Sequence, residues 1–482
     1  MNLFALRLTF SESEGFFVFS SHERMNKMKI TRQIQGDYLT PVSIFLRIQH
    51  DKKFLLESNP REAEEGARYS IVALDPVKVL RYQEGIFSVN GESFPCSDPL
   101  KELEKHILHD EEIIPEIPFQ GGAIGYAGYD VAACYENIGQ IPKDELDVPD
   151  IYFYVFETFV VYDHRTEIVT IVHSNAYSKK TVVEMETRIQ EIVGFLQTPT
   201  SKELIEKKDI NLPFTSNVSQ EEFENRVRKA KKLIEEGDLF QIVLSQRLQA
   251  EFELDPFDYY RYLRLSNPSS YMYFLNFEEL QVVGCSPESL VSVKNGLVTT
   301  NPIAGTRKRG ATVEEDVALA EELLADEKER AEHMMLIDLG RNDIGQIAKR
   351  GTVRLPINMT IEKYRYVMHI VSLVTGELKE DLTPMDALRA TLPAGTVSGA
   401  PKIRAMTRIY ELEPVKRGMY AGAVGYYSMD NQADFAIAIR TMLIKDKKAY
   451  IQAGAGIVAD SDPTAEYYET LQKAKALLEV GR

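Results

Sequence analysis

Residues 151–174 read IYFYVFETFVVYDHRTEIVTIVHS and consist of two runs of β-branched and aromatic residues around a polar turn at 163–166. Runs of this composition on either side of a short polar turn are typical of a β-hairpin. A helix is predicted directly afterwards, over 179–197. The earlier segment 119–130, FQGGAIGYAGYD, is punctuated by glycine, which favours close backbone packing or tight bends over a regular element. The first half of the chain is therefore predicted to be rich in β-structure.

A clear helix opens the second half. Ser219 and Glu222 have the spacing of a capping box, apolar residues then recur on one face, and Gly237 marks the end of the helix. The rest of this half alternates strands and helices but lacks the regular rhythm of a doubly wound parallel sheet. We therefore predict a mixed α+β fold.

The segment 198–219 is polar, carries two prolines and shows weak periodicity, which indicates a linker between two large units. The predicted organisation is an N-terminal β-rich region at 28–197 and a C-terminal domain at 220–482. Residues 1–27 form a leader whose status stays open, because Met25 and Met28 are alternative starts.

The composition excludes several classes of protein. The chain has 56 basic and 73 acidic residues, a net charge of −17, which argues against nucleic acid or an anionic membrane as partner. Its 44% apolar content is that of a globular protein rather than a disordered one. Its three distant cysteines exclude a disulfide scaffold and a thiolate zinc site. No secretory signal and no apolar run of ~20 residues is present, so we predict a cytoplasmic protein.

Two predicted helices each carry a pair of carboxylates three residues apart, Glu329 with Glu332 and Glu466 with Glu469. Residues at this spacing share one helix face, and four such carboxylates could hold Mg²⁺, which prefers oxygen ligands. The commoner explanation of this spacing is a solvated helix face. Both interpretations stay open on spacing alone.

Two histidines also have more than one interpretation. His333 follows Glu332 directly, and His369 lies in the apolar run YVMHIVSLV. A histidine in such surroundings is more often a hydrogen-bonded core residue than a ligand or a base. No HxxxH or HExxH spacing supports zinc.

Three glycine-rich segments are predicted to be loops. In 392–406, Ser398 precedes a helix with Pro401 near its first turn, so this is either an anion-receiving helix start or a simple capped one. In 302–310, three consecutive basic residues indicate either an anion-facing loop or a solvated turn. The segment 452–463 contains GxGxxA, but no helix follows at the place that a dinucleotide site requires. No GxSxG motif and no activated cysteine is evident, so the chain shows no glutamine amidotransferase nucleophile of its own.

These segments resemble, in their order along the chain, the motifs of the chorismate-utilising enzymes: NPIAGTRKRG, KERAEHMMLIDLGRND, ALRATLPAGTVSGAPKIRAM, RGMYAGAVGYYS, FAIAIRTML and QAGAGIVADSDPTAEYYET. The resemblance covers nearly all of 220–482. Upstream, the segments 54–58, 68–76 and 119–130 are similar to the N-terminal region of the anthranilate synthase component I family. The resemblance implies two intertwined lobes, with a β-sandwich of antiparallel sheets and helices packed outside. It also implies a Mg²⁺-dependent lyase that converts chorismate and ammonia to anthranilate and pyruvate in tryptophan biosynthesis.

The resemblance assigns roles to individual residues. It implies that Glu332 and Glu469 are Mg²⁺ ligands. Glu329 and Glu466 would lie in a second layer around the metal or hold metal-bound water, and Glu329 is also implied to be catalytic. Glu288 falls at the position of the acid that assists departure of the C4 hydroxyl, a poor leaving group unless protonated. The other positions implied to line the reaction centre are His369 and Thr396, and those implied to bind chorismate are Gly305, Thr306, Tyr420, Arg440, Gly454, Ala455 and Gly456.

Two positions discriminate within the family. Isochorismate and salicylate synthases resemble one another in carrying a lysine that activates water, and Gln241 stands at the position of that lysine. Ammonia as nucleophile needs no such base. Ala304 stands where aminodeoxychorismate synthases typically carry a lysine that attacks the ring. Both favour the anthranilate branch.

The resemblance further implies feedback inhibition by L-tryptophan, which would contact Ser58, Ser270, Tyr271 and Met272. Many relatives have proline at the position of Ser270, so inhibition is expected to be weaker here. The implied partner is a glutaminase subunit that supplies ammonia in a hetero-oligomer. The alternatives are an aminodeoxychorismate synthase component and a tryptophan-binding regulatory homologue without catalysis.

Overall fold

The computed structural model describes residues 17–19, 28–58, 68–110, 112–206, 208–363 and 367–481. Of the leader predicted for 1–27, only the backbone of Phe17–Phe19 lies within these ranges. The helices are α1 Pro41–Arg47, α2 Pro99–Lys105, α3 Val182–Gln197, α4 Gln220–Glu235, α5 Pro256–Ser266, α6 Val313–Ala325, α7 Glu327–Ile347, α8 Pro384–Thr391, α9 Lys402–Leu412 and α10 Pro463–Leu478. Short 3₁₀ turns span Tyr129–Cys134, Ser201–Glu203 and Gly395–Val397. None of these helices is both long and apolar enough to cross a membrane.

The strands are β1 Phe17–Phe19, β2 Lys29–Gln35, β3 Lys53–Glu57, β4 Tyr69–Leu74, β5 Lys78–Gln83, β6 Ile86–Val89, β7 Glu92–Pro95, β8 Gly122–Ala127, β9 Ile151–Phe156, β10 Thr158–Asp163, β11 Ile168–Ser174, β12 Ile210–Asn211, β13 Thr215–Ser216, β14 Gln241–Glu251, β15 Tyr271–Asn276, β16 Gln281–Ser286, β17 Ser289–Lys294, β18 Leu297–Thr300, β19 Ile303–Lys308, β20 Arg354–Lys363, β21 Val367–Glu377, β22 Gly399–Ala400, β23 Ala423–Ser428, β24 Ala433–Ile437, β25 Thr441–Lys445, β26 Lys448–Ile457 and β27 Glu479–Val480.

Within the described ranges the strands form two large sheets of 13 and 12 strands. The first has the order β1-β2-β11-β10-β4-β3-β15-β16-β25-β26-β14-β13, with β22 also pairing β14. The second has the order β19-β21-β18-β17-β24-β23-β8-β9-β5-β6-β7, with β20 also pairing β21. Neighbouring strands in both are antiparallel. The predicted α+β fold with antiparallel sheets is confirmed.

Each sheet contains strands from both halves of the chain. In the first sheet β3 pairs with β15, and in the second β8 pairs with β23. Aromatic rings fill the space between the sheets: Phe54 of β3 stacks on Tyr154 of β9 at 5.1 Å, and Tyr152 stacks on Phe277 at 4.0 Å. The short strands β12 and β13 lie inside the segment 198–219 and pair with β27 and β14. The two halves are therefore interleaved through the sheets and through the core between them.

The hairpin predicted at 151–174 is present, because β10 and β11 pair across a short turn. The sequence run before that turn is divided at Glu157, however, and β9 and β10 belong to different sheets. The buried Glu157 carboxylate accepts hydrogen bonds from the N–H groups of Tyr177 at 2.9 Å and Ser178 at 3.2 Å. This carboxylate holds the corner at which the chain crosses between the sheets.

The predicted helices are confirmed with small shifts of their ends. Ser219 and Glu222 make the reciprocal bonds of a capping box at the start of α4, and α3 begins at Val182. The prediction for 119–130 was wrong in part, since this segment contains the regular strand β8. Its close packing is real: a Cβ on Gly125 would lie 2.0 Å from the carbonyl oxygen of Tyr152. The glycine lets the neighbouring strand β9 approach without a side chain between them.

Candidate active site

The four carboxylates singled out in the sequence lie on two helices, as predicted. α7 begins at Glu327, where Asp326 Oδ1 accepts the N–H groups of Lys328 at 3.0 Å and Glu329 at 3.2 Å. Glu329 and Glu332 follow in its first two turns and are both half-buried. α10 begins at Pro463 and carries the other pair, of which Glu469 is exposed. Burial raises the pKa of Glu466, and the charge of Glu469 raises it further.

Four of the predicted site residues meet where β19 pairs with β21. Gly305 has φ of +68° in β19, and its carbonyl oxygen lies 2.9 Å from Nδ1 of His369. The same Nδ1 lies 3.0 Å from Oγ1 of Thr306. A Cβ on Gly305 would lie 3.2 Å from Oε2 of Glu329. Because a carbonyl only accepts, Nδ1 of His369 carries the proton, and Nε2 is the basic nitrogen.

The basic run in 302–310 is neither a loop nor a solvated turn, so both interpretations of it were wrong. The segment contains β19, and acidic residues neutralise its arginines. Arg307 pairs with Glu329 at 3.1 Å and Asp326 at 3.0 Å, while Arg309 pairs with Asp316 at 2.7 Å. Arg307 therefore pairs with carboxylates of the protein itself and fixes the position of Glu329, instead of facing an anionic ligand.

A second group of site residues surrounds the paired strands β14 and β26. The segment predicted as a loop at 452–463 is strand β26 as far as Ile457, and Gly454 and Gly456 face Ser245 and Val243 of β14. The opposite edge of β26 pairs with β25 only up to Ile451. The three positions at 454–456 that are implied to bind chorismate thus lie just beyond the part of β26 that pairs with β25.

The two glycines leave room for neighbouring side chains. A Cβ on Gly454 would lie 2.8 Å from the hydroxyl of Tyr420, and one on Gly456 would lie 2.8 Å from Nε2 of Gln241. The same Nε2 donates to Oε1 of Glu332 at 3.3 Å. Burial raises the pKa of Tyr420 to about 12, so its hydroxyl stays protonated and can donate a hydrogen bond.

Lys473 connects this strand to α10. Its Nζ donates to the carbonyl oxygen of Gly454 at 3.0 Å and pairs with Oε1 of Glu469 at 2.8 Å. This lysine was not among the residues predicted for the site, although its position four residues after Glu469 on one helix favours an ion pair between the two side chains. It brings a positive charge to the middle of the site.

Glu288 lies between β16 and β17, half-buried beside Thr396. Burial raises the pKa of Glu288 to about 7, and the Thr396 hydroxyl and the charges of Arg440 and Lys473 lower it in part. Arg440 is exposed, has φ of 47°, and also acts on His369, whose pKa burial lowers. The charge of Arg440 therefore reaches both Glu288 and His369.

The segment 392–406 does not have the simple capped helix start that was one of its two interpretations. α9 begins at Lys402 after Pro401, and no side chain caps it. Ser398 instead donates from Oγ to the carbonyl oxygen of Ala394 at 2.9 Å. The hydroxyl of Thr396 is buried and has no hydrogen-bond partner among the described residues.

The carboxylates suit a hard divalent cation in number and chemistry. Glu332 and Glu469 offer oxygen ligands with some exposure, and Mg²⁺ is commonly held by one or two carboxylates with waters and substrate in the other positions. No group of three or more His, Cys, Asp or Glu side chains placed to hold a metal occurs in the described part of the chain.

His333 is buried and bonds to Ser372 at 2.8 Å, as a core histidine does.

The residues implied to bind tryptophan lie on neighbouring strands. Ser58 follows β3, and Tyr271 and Met272 begin β15, with Met272 opposite Glu57. The Oγ of Ser270 is buried without a hydrogen-bond partner within the described ranges. The Glu57 carboxylate accepts Nε of Arg264 at 2.7 Å, which adds a buried ion pair to this region.

Comparison with known proteins identifies the family. A model described as chorismate binding enzyme matches residues 52–479. Anthranilate synthase component 1 from Lactococcus lactis is 52% identical over 459 residues, which cover 94% of this chain and 100% of the relative. The counterpart from Aquifex aeolicus is 44% identical, covering 95% of both chains.

The chain belongs to the chorismate binding enzyme family, among the anthranilate synthase component 1 proteins.

Solved structures agree with this membership. Anthranilate synthase component I from Streptococcus pneumoniae superposes with a TM-score of 0.81 at 48% identity, covering 95% of this chain and 100% of that one. The menaquinone-specific isochorismate synthase from Escherichia coli superposes at 0.70 with 20% identity, covering 93% and 94%. At that identity the second likeness shows the fold alone. Helices α7 and α10 and the strands that carry the site glycines therefore belong to a fold that this chain shares with these chorismate-utilising enzymes.

Proposed function

We propose that this chain converts chorismate and ammonia to anthranilate and pyruvate as component I of an anthranilate synthase in the cytoplasm. The observation that carries the proposal is Glu288. It is a half-buried carboxyl with a pKa near 7, so its proton is available close to neutral pH. Departure of the C4 hydroxyl of chorismate needs such an acid, because hydroxide is a poor leaving group.

Binding of the dianionic substrate is assigned to positively charged side chains and to β26, the strand that carries the site glycines. Arg440 and Lys473 supply the cations, and Gly454 and Gly456 let the Tyr420 hydroxyl and the Gln241 amide come close to β26. The Tyr420 hydroxyl is a donor at the same place. Glu332 and Glu469 would hold Mg²⁺, which would supply charge neutralisation for a substrate carboxylate.

The reaction then has two stages. Glu288 gives its proton to the C4 hydroxyl, which leaves as water, while the ammonia nitrogen bonds to C2 and later loses one proton. In the second stage the proton on C2 is removed, the bond between C3 and the enolpyruvyl oxygen breaks and the ring becomes aromatic, and the released enolpyruvate takes up a proton on its methylene carbon to become pyruvate. Neutral His369 is the candidate base for this proton, since its Nδ1–H is held by Gly305 and Nε2 is the basic nitrogen.

Ammonia is the expected nucleophile because Gln241 is a carboxamide that cannot deprotonate water. We propose that a separate glutaminase subunit delivers this ammonia, in keeping with the designation of the relatives as component 1. L-Tryptophan is the proposed inhibitor, bound between the end of β3 and the start of β15.

The test is a fluorescence assay of the purified chain with chorismate, Mg²⁺ and ammonium at mildly alkaline pH, with and without tryptophan. Anthranilate fluoresces, and a chain without any tryptophan contributes little background. A Mg²⁺-dependent rise that tryptophan suppresses is expected. Chorismate consumption without this fluorescence would indicate aminodeoxychorismate or isochorismate chemistry instead. No consumption would favour a regulatory homologue that binds tryptophan without catalysis.

A further inference from the structure

A narrow cavity of about 40 Å³ lies behind Glu288. It is bordered by β17, β18, α7 and the turn that carries Thr396, and Asp343 of α7 is also in its wall. Leu336, Leu339 and Pro302 supply much of the rest of the lining. Two carboxyl groups from distant parts of the chain therefore border one small, partly open space.

The cavity is large enough for water, and part of its lining is polar. A cavity of ~10–15 Å³ already holds one water when polar groups face it. Here the buried Thr396 hydroxyl lies close enough to Glu288 to lower its pKa but makes no hydrogen bond of ordinary geometry in the described ranges, so water can satisfy it. Asn301 adds an amide to the same wall. Water in this space can bridge Glu288, Thr396 and Asp343.

Asp343 in the cavity wall is paired with Lys402. Its Oδ2 accepts Nζ of Lys402 at 2.9 Å, and the side chains of Asp343 and Lys402 are 12% and 11% exposed. Lys402 also donates to the carbonyl oxygen of Thr391 at 3.0 Å. The pair is thus held in place at the cavity and is slightly exposed.

The proposed reaction creates a need for such a connection, so this inference rests on the proposed function. Each turnover takes one proton from Glu288 to the departing hydroxyl, and Glu288 must regain one before the next. We propose that Asp343 returns this proton to Glu288 through water in the cavity. Asp343 gives its proton to the water, the water gives one to the Glu288 carboxylate, and Asp343 regains a proton from solvent beside Lys402.

The acidities of the two groups suit this transfer. Burial raises the pKa of Asp343 to about 6, with Lys402 opposing it, and burial raises that of Glu288 to about 7, with Arg440 and Lys473 opposing it. The two carboxylates therefore have nearly equal affinity for the proton that passes between them. Neither step needs a strong acid or base.

The test compares Asp343→Asn with wild type for kcat, kcat/KM and the solvent isotope effect on kcat. Return of the proton follows departure of the hydroxyl, so kcat is expected to fall about 10-fold while kcat/KM for chorismate stays unchanged. The isotope effect on kcat is expected to rise, because proton return becomes limiting. A merely structural loss would lower kcat/KM as well.

Matched variants separate the outcomes. Asp338→Asn lies on the same helix with a 63% exposed side chain and is expected to behave as wild type. Asp343→Asn leaves the Lys402 ammonium without its carboxylate, so the neutral double variant Asp343→Asn/Lys402→Gln is measured if the single variant does not fold. Leu339→Phe, which fills the cavity without changing a charge, is expected to lower kcat in the same selective way.

Wild-type kcat and isotope effect in Leu339→Phe and in whichever Asp343→Asn variant folds, single or double, would overturn the proton path and leave the proposed function intact. A wild-type protein that forms no anthranilate would refute the proposed function, and the proton path with it.

Discussion

Nε2 of Gln241 donates to Oε1 of Glu332 at 3.3 Å, so one end of the amide is tied to a carboxylate of α7. This bond fixes the orientation of the amide, because a carboxylate only accepts. Nε2 is also the amide atom that lies beside Gly456, and the amide oxygen, which takes no part in this bond, can receive a hydrogen bond from ammonia. Gln241 is in this way suited to orient a nucleophile that it does not have to deprotonate.

Removal of this amide is expected to weaken the use of ammonia. Gln241→Leu loses one hydrogen bond worth about 1 kcal/mol, so the KM for ammonium should rise about 5–10-fold while the KM for chorismate changes less. Steady-state kinetics with each substrate varied in turn measure both values. Gln249→Leu, at an exposed position of the same strand, is the control. Equal effects on both substrates would argue against an orienting role.

The acid role of Glu288 predicts a definite pH dependence. The protonated form prevails below a pH of about 7, so kcat/KM for chorismate should fall as pH rises through that value. The measurement keeps the concentration of unprotonated ammonia constant, so that nucleophile supply does not change. Glu288→Gln, which has no proton to give, should lose activity by at least about 100-fold at every pH. A variant with near-normal turnover would remove Glu288 from the mechanism.

Stability provides an independent measurement on the same residue. The folded protein holds the Glu288 proton up to a pH of about 7, whereas the unfolded chain releases it near its ordinary value of 4.5. Stability from this group is therefore present at low pH and lost as pH rises between these two values. The loss is at most about 3 kcal/mol, and Glu288→Gln should lack it. Urea unfolding at pH 5 and pH 8 compares the variant with wild type.

The glycine at position 454 is expected to be required for chorismate binding. An alanine Cβ there would lie 2.8 Å from the Tyr420 hydroxyl and 3.0 Å from the carbonyl oxygen of Leu244. Tyr420 can move only by giving up its place at the site, so Gly454→Ala should raise the KM for chorismate about 10-fold or more. The control is Gly194→Ala in α3, where nothing lies within 4 Å of the added atom. That control should bind normally and gain about 0.5–1 kcal/mol of stability.

Local patterns predicted those parts of the fold that local chemistry determines. The capping box at Ser219 and the hairpin around 163–166 depend on neighbours in sequence, and both are present. The break at Glu157 was missed because β-propensity is continuous across it. What divides the run is a buried carboxylate that binds N–H groups twenty residues further on.

The glycine-rich segments show the same limit for the site. Their composition indicated turns at 119–130, 302–310 and 452–463, and all three contain strands. The glycines are needed because a distant atom occupies the place of the Cβ: the carbonyl oxygen of Tyr152 at Gly125 and the hydroxyl of Tyr420 at Gly454. No local pattern carries that information, and the family resemblance singled out Gly454 without explaining why a glycine is needed there.

The Mg²⁺ assignment predicts a loss that is separable from stability. Glu469 is exposed and pairs with Lys473, and an exposed pair contributes at most about 1 kcal/mol. Glu469→Gln should therefore melt as wild type does, while its affinity for Mg²⁺, measured by titration calorimetry, falls at least about 10-fold. Glu236→Gln removes the exposed partner of Lys232 on α4 and is the control. Unchanged Mg²⁺ affinity in Glu469→Gln would show that the metal, if bound, is held elsewhere.

The buried hydroxyl of Ser270 makes a prediction about tryptophan binding. In the ligand-free protein this Oγ is buried without a hydrogen-bond partner among the described residues, a cost of ~1–3 kcal/mol that a bound ligand could relieve. Ser270→Ala should therefore raise the melting temperature without tryptophan and reduce the further rise that tryptophan causes. Ser58→Ala should relieve inhibition of anthranilate formation and leave kcat unchanged.

Because the chain contains no tryptophan, the fluorescence of the ligand itself reports its burial. A blue shift on adding wild-type protein, reduced with Ser58→Ala and Ser270→Ala, is the expected result. Ser93→Ala, at an exposed position on β7, should bind as wild type does. A full blue shift and unchanged inhibition in both site variants would place the inhibitor away from the end of β3 and the start of β15, and would leave the orphaned hydroxyl of Ser270 as a structural cost with another origin.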